Sequence, residues 1–260
     1  GSSAMEMTSY KPGTPSWVDL GSPRTDQAVT FYTALFGWQA EEAEPGAGGY
    51  RIMTLRGKPV AGIGPQTQPG RPRWSTYIAT ADAAATATAV QAAGGQTLLP
   101  PMQVMDAGTT AVFADPSGAA FGVWQEGKHH GAGIVNEPGS FCWNELLTHT
   151  PDTAVPFYRE VFGWDAKKIP MGETTYTEWD LDGREVGGMV NMDEQNFPPQ
   201  MPPIWMVYFA VDDTEETVGK VTALGGSVLV PPTDLPVGRF AVVADLHGAV
   251  FQVIKLTRQS

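Results

Sequence analysis

Phe31-Tyr32-Thr33-Ala34-Leu35-Phe36-Gly37-Trp38 returns later in the chain as Phe157-Tyr158-Arg159-Glu160-Val161-Phe162-Gly163-Trp164, an offset of 126 residues (31 to 157). A fixed period of this kind announces duplicated structural units. The same offset pairs Trp17 with Trp143, Asp19 with Glu145, Gly57 with Gly183 and Val60 with Val186. Further on, Asp115-Pro116-Ser117-Gly118-Ala119 matches Asp245-Leu246-His247-Gly248-Ala249 at an offset of 130 (115 to 245), so the second half carries a few inserted residues. They fall between Asn191 and Pro203, a proline-rich stretch that reads as a long surface loop able to cover a cleft. Its counterpart in the first half runs from Pro65 to Pro72. Glu126 to Gly133 has linker composition and places a boundary near residue 130. The expected division is a tail at 1–12, a first domain at 13–127, a linker at 128–138 and a second domain at 139–260.

Each half divides again. Ser16 to Leu20 is a short apolar run before a turn. Asp26 to Phe36 then places Ala28, Phe31, Tyr32, Leu35 and Phe36 at helical spacing and stops at Gly37. Tyr50 to Leu55, the turn Arg56-Gly57-Lys58 and Val60 to Ile63 read as two more strands. A second unit begins with a strand at Ser75 to Ala79 and continues through the alanine-rich helix Ala83 to Ala93. It closes with strands near Gln96 to Leu99, Thr110 to Ala114 and Ala119 to Trp124. Residues Trp143 to Val190 and Met206 to Ile254 repeat the order. Four βαβββ units imply an α+β fold in which curved sheets carry helices on one face and leave a concave face open. Gly94-Gly95 and Gly225-Gly226 read as helix stops, outside any phosphate-binding fingerprint.

The 260 residues contain 28 acidic and 16 basic side chains, a net charge of −12 that repels phosphate backbones and anionic lipid. Nucleic acid and membrane are therefore not expected as partners, and no stretch approaches the roughly 20 apolar residues needed to cross a bilayer. Gly1 to Met5 reads as a cloning remnant rather than a signal peptide, with a natural start at Met5 or Met7. The single cysteine, Cys142, excludes an internal disulfide and a cysteine-based metal cluster, and suits a reducing cytoplasm. Cys142, next to Trp143, is expected on the buried face opposite the cleft.

The strand and helix with Phe-Tyr and a Leu/Val-Phe-Gly-Trp end, and the closing Asp-Pro-Ser-Gly hairpin, resemble the vicinal oxygen chelate superfamily. That group holds glyoxalase I, extradiol dioxygenases and bleomycin-type resistance proteins. The likeness runs from about Pro15 to Lys255 and implies two tandem domains with curved mixed sheets and open concave clefts. The opening Gly13-Thr14-Pro15-Ser16-Trp17-Val18-Asp19-Leu20 is similar to tandem actinobacterial members labelled glyoxalase-like or "hydroxylase", some of which serve antibiotic pathways. Such a label speaks to ancestry more than to activity.

Metal-using members of that family aim His, Gln or Glu from fixed strand positions into the concave face. The resemblance places those positions at Trp17 and Trp143, Ser75 and Met206, Gly122 and Gln252, and near Gly62 and Gly188. Gln252 alone offers a weak ligand, where such a site wants about three converging donors. His129 and His130 fall in the linker, His149 after a strand and His247 in the closing hairpin, all read as surface residues. No metal and no cofactor are expected.

Strand alternation puts Trp17 with Asp19, and Trp143 with Glu145, on one face. If that face is the cleft, Ser75, Tyr77, Met206 and Tyr208 also look inward, with Met53, Trp179 and Gln252 as further ligand-binding candidates. Walls of this kind suit a flat, largely apolar ligand such as an aromatic polyketide. A carboxylate among tryptophans must pair, bind ligand or carry a raised pKa, which makes Asp19 and Glu145 candidate acids or bases, with Arg51 and Arg239 as possible partners. Trp38 and Trp164, after the helices, read as core fillers. Two functions stay open. The first is a metal-free binder of a planar aromatic metabolite, for sequestration, self-resistance or a pathway accessory role. The second is a metal-independent isomerase, lyase, cyclase or hydroxylase-type enzyme on an aromatic polyketide, using Asp19 or Glu145. A glyoxalase-like metalloenzyme with relocated ligands stands behind both. Tandem halves can build the paired cleft within one chain, so a monomer suffices and a homodimer is also compatible.

Overall fold

A computed structural model of the chain describes residues 5–171 and 174–257. After a two-residue strand β1 (Met5–Glu6) come β2 (Pro15–Ser22), α1 (Thr25–Phe36), β3 (Gln39–Ala40), β4 (Arg51–Leu55) and β5 (Lys58–Pro65). The second unit is β6 (Arg73–Ala79), α2 (Ala83–Ala92), β7 (Gln96–Val104), β8 (Gly108–Ala114) and β9 (Ala120–Glu126). A short β10 (Ile134–Val135) precedes β11 (Phe141–Thr148), α3 (Pro151–Phe162), β12 (Asp165–Met171), β13 (Thr174–Leu181) and β14 (Arg184–Asn191). The last unit is β15 (Ile204–Ala210), α4 (Thr214–Ala223), β16 (Ser227–Leu235), β17 (Gly238–Ala244) and β18 (Val250–Leu256). The long strands form two eight-stranded mixed sheets of matching order, β3-β4-β5-β2-β6-β9-β8-β7 and β12-β13-β14-β11-β15-β18-β17-β16.

Local chemistry accounts for the helices. In α1 the buried side chains are Ala28, Phe31, Tyr32 and Leu35, one helical stripe, and Gly37 ends it in the left-handed region at φ 73° with its N–H donating to the Thr33 carbonyl. Gly163 does the same for α3 at φ 75°. The carboxylates of Asp82 and Asp213 cap α2 and α4 by accepting from the N–H groups of Ala85 and Glu216.

Two large cores lie on the helix side of the sheets, and each joins residues from both halves. One gathers Val18, Leu20, Tyr32 and Trp38 with Phe209 and Phe251; the other gathers Phe113 and Phe121 with Tyr158, Trp164 and Trp205. The helices' tyrosines cross between halves as well: Tyr32 donates to Asp245 at 2.8 Å and Tyr158 to Asp115 at 2.8 Å. Trp38 and Trp164 are core residues, and their indoles donate to the carbonyls of Gly139 (2.7 Å) and Gly13 (2.8 Å) in the opposite half.

The tail and linker take a larger part than their composition suggests. β1 pairs with β10, Met7 packs on the first core, and Tyr10 donates to the Ala132 carbonyl at 2.6 Å. Residues 1–4, which hold most of the expected cloning remnant, lie outside the described residues. No helix among the described residues is long and apolar enough to cross a membrane.

Candidate functional site

Val18 and Leu20 of β2 point to the helix side, so alternation sets Trp17, Asp19 and Gly21 on the opposite, concave face, where Trp17 is itself 3% exposed and packed with the first core. The register lays out this face: Trp17 stands opposite Tyr77, Asp19 opposite Ser75 and beside Gly62, and Tyr77 beside Gly122. The Trp17 indole N–H donates to the Tyr50 hydroxyl at 2.8 Å, and that hydroxyl donates to the Asp19 carboxylate at 3.0 Å. Tyr77 makes a second hydroxyl bond to Asp19. Burial pushes the Asp19 pKa up to about 7, against the lowering effect of these two hydroxyls. Desolvation and the neighbouring carboxylate hold both tyrosines well above their usual range, so they remain neutral donors.

The second half repeats the arrangement. Trp143 donates to Tyr176 at 2.8 Å; Tyr176 and Tyr208 donate to Glu145 at 2.6 Å and 3.0 Å. Gln252 adds a third side-chain bond to Glu145 and also bonds Tyr208. Burial raises the Glu145 pKa, and the bonds from Tyr176, Tyr208 and Gln252 oppose it.

Glycines make room for these networks. A Cβ at Gly62 would lie 1.8 Å from the Tyr50 hydroxyl, one at Gly188 1.7 Å from that of Tyr176, and one at Gly122 2.4 Å from the Tyr77 ring. Tyrosine side chains thus fill the space above the positions from which a longer side chain would project. One wall of the first trough is apolar and open to solvent: Val112 beside Gly122, Leu99 opposite Val112 and Met102 opposite Thr110, with Leu99 36% and Met102 49% exposed. At its end a pocket of about 30 Å³ lies among Arg73, Ser75, Tyr77, Val112, Gly122 and Ile204. The corresponding end of the second trough is filled by Leu147 and Met206 packed with Met192, Phe197 and Met201 of the proline-rich segment.

Trp17, Asp19, Ser75, Tyr77, Trp143, Glu145, Met206, Tyr208 and Gln252 all reach the concave faces. Met53 and Trp179 do not. Both are fully buried in the helix-side cores, because Ile52 and Glu178 are the residues that pair with concave Gly62 and Gly188 and their neighbours must face the other way. Cys142 is on the concave side, packed with Tyr208, Ala210 and Ile254, since a bulge between Phe141 and Trp143 shifts its phase. Arg51 donates to the Glu41 backbone carbonyl and Arg239 to the Glu215 carboxylate, and neither bonds the site carboxylates. His129 is not a solvated linker residue: its ring stands edge-on to Trp17 at 4.4 Å, and burial lowers its pKa to about 4. The ring nitrogens of His149 lie 3.0 Å and 2.7 Å from the carbonyls of Met192 and Met201. Tyr50 and Tyr176 escaped the sequence reading, although they recur at the same 126-residue offset (50 to 176) as Gly62 and Gly188.

Two tandem α+β halves, each a curved eight-stranded sheet whose concave face holds a Trp-Tyr-carboxylate network, define the class. The chain belongs to the Glyoxalase/Bleomycin resistance protein/Dioxygenase superfamily, whose family description matches residues 14–123 and 143–253. It is 44% identical over 259 residues to CFP32 of Mycobacterium tuberculosis (strain CDC 1551 / Oshkosh), whose name assigns it provisionally to the glyoxylases; 95% of this chain and 96% of that protein are covered. It is 40% identical over 266 residues to the anthracycline biosynthesis protein DnrV of Streptomyces peucetius, covering 96% of each. Among solved structures, the Mn(II)-bound glyoxalase from Novosphingobium aromaticivorans shares the fold with a TM-score of 0.66 at 16% identity, covering 94% of this chain and 82% of that one.

The residues at the positions that the family resemblance assigns to metal ligands do not fit such an ion. The family's ligand positions present an indole, a hydroxyl and two glycines in the first half, and an indole, a thioether, a glycine and an amide in the second. The hydroxyls of Tyr50 and Tyr176 stand over Gly62 and Gly188 and the Tyr77 ring over Gly122, and among the described residues no three His, Cys, Asp or Glu side chains converge.

Proposed function

We propose that this protein binds a hydrophobic, planar aromatic small molecule on its concave face without a metal, in the setting of secondary-metabolite production or resistance. The observation that carries the reading is the replacement of donor positions by glycines whose space is taken by Tyr50 and Tyr176, each joining a tryptophan to a carboxylate. The half-buried Tyr77 ring beside an exposed Leu99-Met102 wall suits a flat ring system, with each offset or edge-on contact contributing about 0.5–1.5 kcal/mol beyond area burial. The enclosed space is small, so the ligand lies along the open trough rather than in a closed cavity. The naming of DnrV for anthracycline biosynthesis supports an aromatic polyketide as the ligand class.

One observation favours a second reading. With its pKa near 7 and two hydroxyl donors on it, Asp19 is set to exchange a proton near neutrality, as a metal-independent isomerase, lyase or cyclase would require. Titration of the purified chain, metal content assayed, with a hydroxyanthraquinone separates the readings. Saturable micromolar binding of unchanged ligand, weakened about tenfold in Asp19→Asn, supports the binder. Conversion of the ligand that Asp19→Asn abolishes while binding persists supports the enzyme. Stoichiometric metal in active protein overturns the metal-free part of both.

A further inference from the structure

We infer that the first trough, and not the second, is the ligand site, and that its mouth selects a planar aromatic molecule bearing a carboxylate at the Arg73 end. This rests on the binding reading above. The repeat makes the two troughs comparable position by position, and four differences point the same way.

Opposite the carboxylate, the first half has Ser75 and the second has Met206. Met206 is 6% exposed and packed with Leu147, Met192, Phe197 and Met201, so the space that Ser75 leaves open is closed there by side chains. Beside the inner tyrosine, the first half has Gly122 and the second has Gln252, whose amide is committed to Glu145 and Tyr208. Glu145 therefore holds three side-chain bonds at 5% exposure, the condition of a structural carboxylate. Asp19 holds two, is partly exposed, and keeps acceptor capacity for a ligand hydroxyl.

The covering segments differ too. Met192 and Met201, toward the two ends of the inserted segment, have their carbonyls 3.0 Å and 2.7 Å from opposite nitrogens of His149, whose ring N–H holds the segment across the second trough by donating to one of them. The matching place in the first half, 126 residues earlier, is Pro23, which has no such group. Finally, the register equivalent of Ile204, opposite Leu147, is Arg73, opposite Gly21. Arg73 is exposed and lines the pocket, and no side chain among the described residues pairs with its guanidinium. Alternation along β6 sets Arg73, Ser75 and Tyr77 in one row on the trough face, a cation, a hydroxyl and a phenol spread over roughly 13 Å, the reach of a fused polycyclic aromatic. Guanidinium at one end favours a carboxylate there.

Equilibrium dialysis of the full chain against an anthraquinone carboxylate and an uncharged hydroxyanthraquinone tests this. The expected result is one molecule bound per chain, with affinity for both probes reduced about tenfold or more in Ser75→Met. That variant tolerates the fold, because Met206 already occupies the equivalent place, and an unchanged melting temperature verifies it. In Arg73→Gln the carboxylate loses about tenfold in affinity and the uncharged probe less than about twofold. Two molecules per chain, or wild-type affinity in Ser75→Met, overturns the assignment to the first trough while leaving the binding reading in place. Equal losses for the two probes in Arg73→Gln overturn the role of Arg73. Failure of the wild-type chain to bind either probe overturns this inference and the binding reading together.

Discussion

At Gly62 an added Cβ would stand 1.8 Å from the Tyr50 hydroxyl, and at Gly188 1.7 Å from that of Tyr176, well inside any van der Waals contact. Each tyrosine is fixed at both ends of its hydroxyl, accepting from an indole and donating to a carboxylate, so it has little freedom to yield. Gly62→Ala is expected to lower stability by about 1–3 kcal/mol, read as a shift in the urea midpoint at unchanged slope. Combining it with Tyr50→Ala costs less than the two single changes added, because the clash is then gone; strict additivity would show that Gly62 is needed for another reason. Asp19 carries a second prediction at this scale. Its folded pKa of about 7 lies above the ordinary carboxylate value of about 3.9. Between those values the folded chain holds a proton that the unfolded chain has released, so this group's contribution to stability falls as pH rises from about 4 to about 7, then levels off. Asp19→Asn removes the titration, and its melting temperature relative to wild type should climb across that window and stay flat above it. A pH-independent difference would contradict the raised pKa. Of this network the sequence displayed Trp17, Asp19 and Tyr77 through alternation. Tyr50 was visible only as one more member of the 126-residue repeat, since its place before β4 gives no hint that its side chain reaches across to Gly62.

Helices and strands were legible wherever a period was present. The helix expected at Asp26 to Phe36 is observed as Thr25–Phe36, and the one expected at Ala83 to Ala93 as Ala83–Ala92. Strand faces were legible only where alternation was unbroken. In β4, Ile52 and Met53 are adjacent and both apolar, so hydropathy leaves the phase open, and only pairing with β5 sends Ile52 to the trough and Met53 to the core. In β13, Trp179 sits between Glu178 and Asp180, and the apolar partner goes to the helices. Cys142 shows the effect of a bulge, which no hydrophobic pattern announces. The inserted segment is an element whose anchoring can be measured. Its amides at Met192, Phe197 and Met201 donate to the carbonyls of Thr148, Asp193 and Pro198. His149→Ala is expected to speed hydrogen exchange at those three amides while leaving β6 unchanged. Unaltered protection would mean that burial of Met192 and Phe197, rather than the imidazole, holds the segment.

The repeat period identified four units but not which of them share a core, because covalent order and spatial pairing are independent properties. A boundary near residue 130 would suggest two bodies that fold separately, yet each core takes residues from both sides of it. The polar links between halves are buried, and four of them are reciprocal, Tyr32 with Asp245 and Tyr158 with Asp115, Trp38 with Gly139 and Trp164 with Gly13; Asn144 adds an unmirrored bond to Thr76 at 2.8 Å. Asp115 is at once the hairpin's organiser, accepting from the N–H groups of Ser117 and Ala119, and the acceptor for a helix of the other half. Asp115→Ala should therefore orphan a buried tyrosine hydroxyl in the second half and loosen a turn in the first, a loss of about 3 kcal/mol. The consequence for the whole chain is a single cooperative transition: tryptophan fluorescence and far-UV circular dichroism should lose structure together in urea, and Asp115→Ala should shift both by the same amount. Residues 13–127 and 139–260 produced separately would each expose half of two cores, and are expected to lack cooperative unfolding unless mixed. Two resolved transitions in the intact chain, with only one of them displaced by Asp115→Ala, would show that the halves keep separate stabilities despite their shared cores.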